Sequence, residues 1–228
     1  MSCHGRDQFP WTVSFWPDFA MFQSWDENGG YQPMLQRRNA QADTGRPMPQ
    51  INEEYGYEDH YPVKWGGNRR SPARSADNRR RLAWKIAMAG CYQTTGERAN
   101  GGGGSTAASP GGWINGGFDS SMHMLEGYER MVDFFTSIEY WKLEPAPRIV
   151  SGNLLVLAER GRQYAIYYRR PEQGTVELEP GDYTARWYNP RSGEWTDGPR
   201  TLVTADNKWH APAPPGQDDW VLLLRIAG

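Results

Sequence analysis

Near residue 144 the hydrophobic pattern of this chain changes period, and that change restricts the fold more than any other feature. Before it, apolar residues recur at helical spacing and are separated by long polar, glycine-rich stretches. After it, short β-branched and aromatic runs follow one another between turn residues. A 3.6-residue stripe and a two-residue alternation bury their apolar faces in different kinds of layer. The sequence therefore reads as two domains, 1–143 and 144–228.

In the second domain, strands are expected at Leu154–Ala158, Gln163–Tyr168, Thr175–Glu179, Tyr183–Asn189, Thr201–Thr204 and Trp220–Ile226. Tyr183, Ala185 and Trp187 alternate onto one face. Asn189-Pro190-Arg191-Ser192-Gly193 is a turn with a mechanism, since Pro presets φ and Gly accepts φ > 0. Gly152, Gly161, Gly174 and Gly181 punctuate the rest. Strands at near-regular spacing without a helical pattern predict an antiparallel β-sandwich.

The first domain alternates. Leu82 and Ile86, beside Ala83 and Ala87, form a helix stripe in Asp77–Ala89, with Asp77 as the expected N-cap. A second stripe runs through Met122, Leu125, Tyr128, Met131, Val132 and Phe135, with Ser120 or Ser121 able to cap it. Strands are expected at Pro49–Asn52 and Ala89–Gln93, and Trp11–Phe15 is a third candidate. This βα order predicts a parallel sheet. Only about three units are present, whereas a closed eight-stranded barrel takes roughly 250 residues. An open three-stranded parallel sheet leaves a long unpaired edge. The expected fold class is thus α/β plus all-β: the last three or so βα units of a (β/α)8 barrel, then an antiparallel sandwich.

Composition narrows the function. The 11 Trp and 12 Tyr are too many for a disordered chain. A net charge of −2 argues against a dedicated nucleic-acid binder. No apolar run approaches the ~18 residues of a membrane span, and no signal peptide is visible. Cys3 and Cys91 show no C-x-x-C spacing and are expected as two buried thiols. His4, His60, His123 and His210 show no H-x-x-x-H spacing, so neither metal nor cofactor is expected.

The chemistry concentrates in Pro49-Gln50-Ile51-Asn52-Glu53-Glu54-Tyr55-Gly56-Tyr57-Glu58-Asp59-His60. Acids crowd the end of a short strand, where βα barrels carry their active sites. A strand ending Asn-Glu-Glu sends alternate side chains toward the barrel mouth. Glycoside hydrolysis needs paired carboxylates, one to attack or stabilise an oxocarbenium-like centre and one to protonate the leaving oxygen. Tyr55 and Tyr57 can orient such a nucleophile or stack on a sugar. A solvated acidic loop, or ion pairs to Arg69, Arg70 and Arg74, is the plainer alternative. The D-x-D spacing of a Ca²⁺ loop is absent.

Asn52-x-Glu54-x-x-Tyr57-Glu58 resembles the asparagine, glutamate, tyrosine, glutamate pattern of the apiosidase-like family of glycoside hydrolases, where it ends a late strand of a TIM barrel. Arg81-Leu82-Ala83-Trp84 and Met88-Ala89-Gly90-Cys91-Tyr92-Gln93-Thr94-Thr95-Gly96 resemble that family's next helix and last barrel strand, and Gly111-Gly112-Trp113-Ile114 its following loop. The text after Tyr140-Trp141-Lys142-Leu143-Glu144-Pro145 resembles the β domain often attached to it, commonly labelled a collagen-binding domain of a collagenase. Its most recognisable part is Tyr183–Trp195.

The resemblance implies that Glu54 is the catalytic nucleophile, with Asn52, Tyr57 and Glu58 in supporting positions. His4, Asp18, Phe19 and Gln23 resemble an upstream active-site segment that contacts substrate. The family's general acid sits on an earlier strand that this sequence lacks, so the chain corresponds to a truncated form with the nucleophile but not its partner. The implied activity is hydrolysis of O-glycosidic bonds in an oligo- or polysaccharide, with no nucleic-acid or membrane partner. The implied location of the full-length family is secreted or periplasmic. The rival expectation is a non-enzymatic carbohydrate- or matrix-binding sandwich.

Trp65 and Trp113 fall on loops expected at the catalytic face, where an exposed indole offers a flat apolar platform for a sugar; loop-anchoring packing is the alternative. Glu97 could face the barrel mouth, a surface carboxylate being the plainer reading. Gly101–Gly104 with Ser105 lacks the G-K-[ST] ending of a phosphate loop and reads as a flexible loop. Arg69, Arg70, Arg74, Arg79, Arg80 and Arg81 are expected as a solvated helix start with internal ion pairs. The Met and Phe residues of 122–135 are expected in the core.

Overall fold

Three short parallel strands, β1 (Ala20–Gln23), β2 (Gln50–Glu54) and β3 (Tyr92–Gln93), lie side by side in that order in a computed structural model of the chain. Helices α1 (Gln32–Asp43) and α2 (Ala76–Met88) connect them. The structure describes residues 18–23, 30–54, 75–94, 123–203 and 207–227. The chain divides into two units, Met1–Tyr128 and Glu129–Gly228.

In the first unit the expected βα order is found. Ser75, not Asp77, caps α2: its backbone is extended and its side-chain oxygen accepts the amide of Asn78 at 3.2 Å. Asp77 instead sits in the first turn and pairs with Arg80. The expectation of a solvated arginine cluster is corrected at two positions, because Arg79 and Arg80 are buried while Arg69, Arg70 and Arg74 lie outside the described residues. Long arginine stems can cover apolar surface while the head finds a partner. Leu82, Ala83, Trp84, Ile86 and Met88 line the buried face of α2. Gly30 permits a close approach, since a Cβ there would stand 2.3 Å from Leu82 Cδ1.

Helix α3 (His123–Thr136) buries Met124, Gly127, Met131 and Phe134. That face is rotated from the expected stripe: Leu125 and Tyr128 are half-buried and Val132 is 54% exposed. Gly127 accounts for part of the rotation, because the helix comes so near Arg80 that a Cβ there would meet its Cβ and Cγ at 3.3 Å. Met122 and the candidate caps Ser120 and Ser121 lie outside the described residues.

The second unit is built from antiparallel pairs. Strands β4 (Glu144–Pro145), β5 (Leu154–Glu159), β6 (Gln163–Tyr168), β7 (Gly174–Glu177), β8 (Gly181–Tyr188), β9 (Trp195–Asp197), β10 (Thr201–Val203), β11 (Lys208–Ala211) and β12 (Trp220–Ile226) form two sheets. The larger has the order β10-β8-β12-β6-β5-β4, with β9 also on β8; the smaller pairs β11 with β7. Their inner faces share one core of Leu154, Val156, Tyr164, Ile166, Tyr168, Val176, Leu178, Tyr183, Trp187, Ala211, Leu222 and Leu224. Strand β12 is central, pairing with β6 on one side and β8 on the other, and Trp220–Leu224 are buried without a break. Each fully buried apolar side chain of this kind contributes about 1.5–3 kcal/mol of transfer free energy.

The outer face of the large sheet is also buried at Leu155, Leu157, Ala165, Tyr167, Val221 and Leu223. Residues 129–143 supply part of the cover there: Phe134 packs on Tyr188 and Trp195, with ring centroids at 5.2 and 5.5 Å. Among the described residues, no helix is long and apolar enough to cross a membrane.

Candidate active site

Asn52 and Glu54 end β2, the middle strand of the parallel sheet. Asn52 is buried between two neighbours, facing Phe22 of β1 and Gln93 of β3 in register, and its carbonyl oxygen accepts the amide of Thr94 at 3.0 Å. The next β1 residue, Gln23, aligns with Glu54 rather than Glu53. One extra residue therefore stands in β2 at its C-terminal end. Such a bulge bends the strand and re-aims the side chains beyond it, and bulges are over-represented beside active sites.

The extra residue is Glu53. It is half-buried, and its Oε1 is buried with no hydrogen-bond partner among the described residues. A carboxylate oxygen held this way is costly unless it has a task or a partner beyond the described segments.

The structure thus brings Gln23, Asn52 and Glu54 to the C-terminal ends of adjacent parallel strands. It does not bring Asp18 there. Asp18 and Phe19 precede β1, are exposed, and lie at the opposite end of the strand, where the amide of Ala20 donates to the Pro49 carbonyl. His4, Tyr57, Glu58, Trp65 and Trp113 lie outside the described residues, as do Tyr55, His60, Glu97 and the loop 101–105. Gln93 completes the described polar set, and only the strand register singles it out.

Cys91, just before β3, is the buried thiol the sequence expects; Cys3 lies outside the described residues. Burial pushes the Cys91 thiol up to about 12, against the opposing charge of Arg38. Its Sγ lies 3.6 Å from the Met34 carbonyl oxygen and 3.4 Å from that of Ala89. A neutral buried thiol of this kind packs and does not attack.

Solved structures similar to the chain include three described as glycoside hydrolases. One described as "Glycoside hydrolase" aligns with a TM-score of 0.73 and 14% identity, covering 94% of this chain and 54% of that one. A glycoside hydrolase family 5 structure from Bacteroides vulgatus gives 0.68 and 16%, covering 95% and 52%. A third, "a putative glycoside hydrolase" from the same organism, gives 0.65 and 14%, covering 98% and 44%. The chain spans about half the length of these structures or less. Residues 149–225 match the family described as "Putative collagen-binding domain of a collagenase". No curated protein matches the sequence. Over nearly its whole described length, the chain shares the fold of part of these glycoside hydrolases.

Proposed function

We propose that residues 1–143 are the C-terminal part of a (β/α)8 barrel of the apiosidase-like glycoside hydrolase type, and that residues 144–228 are its appended β-sandwich. In this reading Glu54 acts as nucleophile or charge stabiliser in the hydrolysis of an O-glycosidic bond of an oligo- or polysaccharide. Its carboxylate attacks or faces the anomeric carbon, while a second carboxyl group protonates the departing oxygen. Asn52 and Gln23 frame Glu54 from the same sheet, and His4, Tyr57, Glu58, Trp65 and Trp113 are assigned to substrate contact. Asp18 is left out because it stands at the far end of β1.

The observation that supports this most is the bulge that aligns Gln23 with Glu54 at the C-terminal ends of parallel strands. The fold shared with glycoside hydrolases agrees with it. Glu54→Gln tests the assignment. Turnover by the chain of an activated aryl glycoside, whose phenolate departs without a general acid, should fall about a thousandfold or more with the thermal transition unmoved, by the scale of losing a catalytic group. Full turnover in that variant removes Glu54 from the mechanism.

The match over residues 149–225 favours a second role, retention on a polysaccharide or matrix. The Glu54→Gln chain should still be held by an insoluble polysaccharide in a pull-down, and its recovery in the unbound fraction rejects that role.

A further inference from the structure

We propose that the outer face of the large antiparallel sheet carries a binding site for an acidic saccharide, its carboxylate held between Arg186 and Arg225. Taking the ligand to be a saccharide rests on the carbohydrate reading above; the preference for a carboxylate rests on the site itself.

A concavity of about 190 Å³ opens there, lined by Ser137, Thr184, Arg186, Trp195, Leu223 and Arg225. A cavity of ~150 Å³ already accepts benzene, so this one admits a ligand of about a single ring. Register explains the convergence. Arg186 of β8 faces Leu223 of β12, and Thr184 faces Arg225, so the two arginines are diagonal neighbours on one face. Such diagonals lie roughly 7–8 Å apart at the backbone, within reach of long side chains converging on one group.

Arg186 is held in place by stacking. Its guanidinium lies 4.8 Å from the centroid of Trp195, and that indole is itself stacked with Phe134 at 5.5 Å with the rings 16° apart. A stacked guanidinium keeps its N–H fork in a fixed plane, the geometry that matches a carboxylate. Arg225 donates one bond to the Ser137 carbonyl at 3.0 Å, which steadies it and leaves further donors.

The charge is unanswered. In the same unit Arg160, Arg170, Arg191 and Arg200 each pair with a carboxylate. Arg186 and Arg225 form no ion pair among the described residues, although Asp197 stands opposite Arg186 in register. The rim suits hydroxyl groups. Ser137 Oγ donates to the Phe134 carbonyl and Thr184 Oγ1 to that of Arg225, so both keep lone pairs for a sugar O–H. Buried Leu223 offers an apolar floor for the C–H face of the ring.

The test is calorimetric titration of the full chain with trigalacturonate, cellotriose and a hexaglutamate peptide. Trigalacturonate should bind, weaken as salt is added, and lose at least tenfold in affinity in Arg186→Gln and in Arg225→Gln. Both substitutions are at exposed positions, and an unshifted thermal transition verifies the fold. Arg186→Lys and Arg225→Lys, which keep the charge but lose the fork, should recover only part of the loss. No heat with trigalacturonate, affinity indifferent to both arginines, or equally arginine-dependent binding of cellotriose or the peptide overturns the proposal. Arginine-dependent binding in a chain whose turnover ignores Glu54→Gln defeats the catalytic reading alone.

Discussion

Tyr188 donates its hydroxyl proton to the main-chain oxygen of Arg130 at 2.5 Å, and the Arg130 side chain donates in turn to the main-chain oxygen of Arg191. The two residues thereby clasp the β8–β9 turn to the middle of α3. Tyr188→Phe removes the clasp but keeps the ring against Phe134 and Trp195. It should cost about 1 kcal/mol, read as a lower urea midpoint at unchanged slope. Burial also raises the Tyr188 hydroxyl to about 12. The unfolded chain then releases this proton first, near the ordinary value of about 10. Stability from this group is complete below that pH and is lost as pH climbs toward 12. Melting temperatures from pH 9 to 12 should fall less steeply in Tyr188→Phe.

Gly193 closes the same turn at φ 77°. A Cβ there would touch Arg130 Cγ at 3.4 Å, and the left-handed conformation itself costs about 1–2 kcal/mol for a residue with a side chain. Gly193→Ala should therefore lower stability by that amount in chemical denaturation. An unchanged midpoint contradicts the turn geometry.

Ile166 is fully buried and faces Val156 of β5 and Leu222 of β12 across the sheet. Truncation at this position leaves a cavity that neighbours on two strands cannot close. Ile166→Ala should cost about 2–5 kcal/mol, whereas Leu202→Ala, at a side chain 73% exposed, should stay within about 0.5 kcal/mol. Denaturant curves of the pair measure the contrast.

Cys91 should resist thiol reagents at pH 8, reacting only as fast as the first unit opens. Its raised value places it with Tyr188 among groups whose neutral form the fold prefers. Its contribution fades once pH passes the ordinary thiol value, about 8.5. Cys91→Ala should flatten the alkaline loss that begins there, visible in a thermal-shift series.

Asn52→Ala should keep β2 paired, because its strand contacts are main-chain ones. It removes a buried polar side chain one bulge away from Glu54. On the reading proposed for that residue, aryl-glycoside turnover should fall at least tenfold, with stability lower by about 1–3 kcal/mol. Steady-state kinetics and a melt on the same sample separate the two effects.

Some of this architecture was legible in the residues and some was not, for physical reasons. Gln163–Tyr168 and Trp220–Ile226 were expected at their observed bounds because long runs of aromatic and branched side chains suit only a sheet buried on both faces. β9 and β11 carry no sequence signal: Trp195–Asp197 is short, and Lys208–Ala211 mixes charge with aromatics, so neither has a period to read. α1 shows no apolar stripe, because only Met34, Leu35 and Gln41 are buried among many polar residues. β1 is four residues with no turn signal of its own. For the site, spacing located the end of β2 but not the bulge, which depends on the neighbouring strand. Arg186 and Arg225 are far apart in the chain, and only pairing makes them neighbours.

The place of β12 also bears on biosynthesis. This strand separates β6 from β8, yet it leaves the ribosome after every other strand of its sheet. Until it emerges, the halves on either side expose an apolar seam with no mate. The domain must close late and in one step, and a nascent chain paused before Trp220 would need shielding by a chaperone.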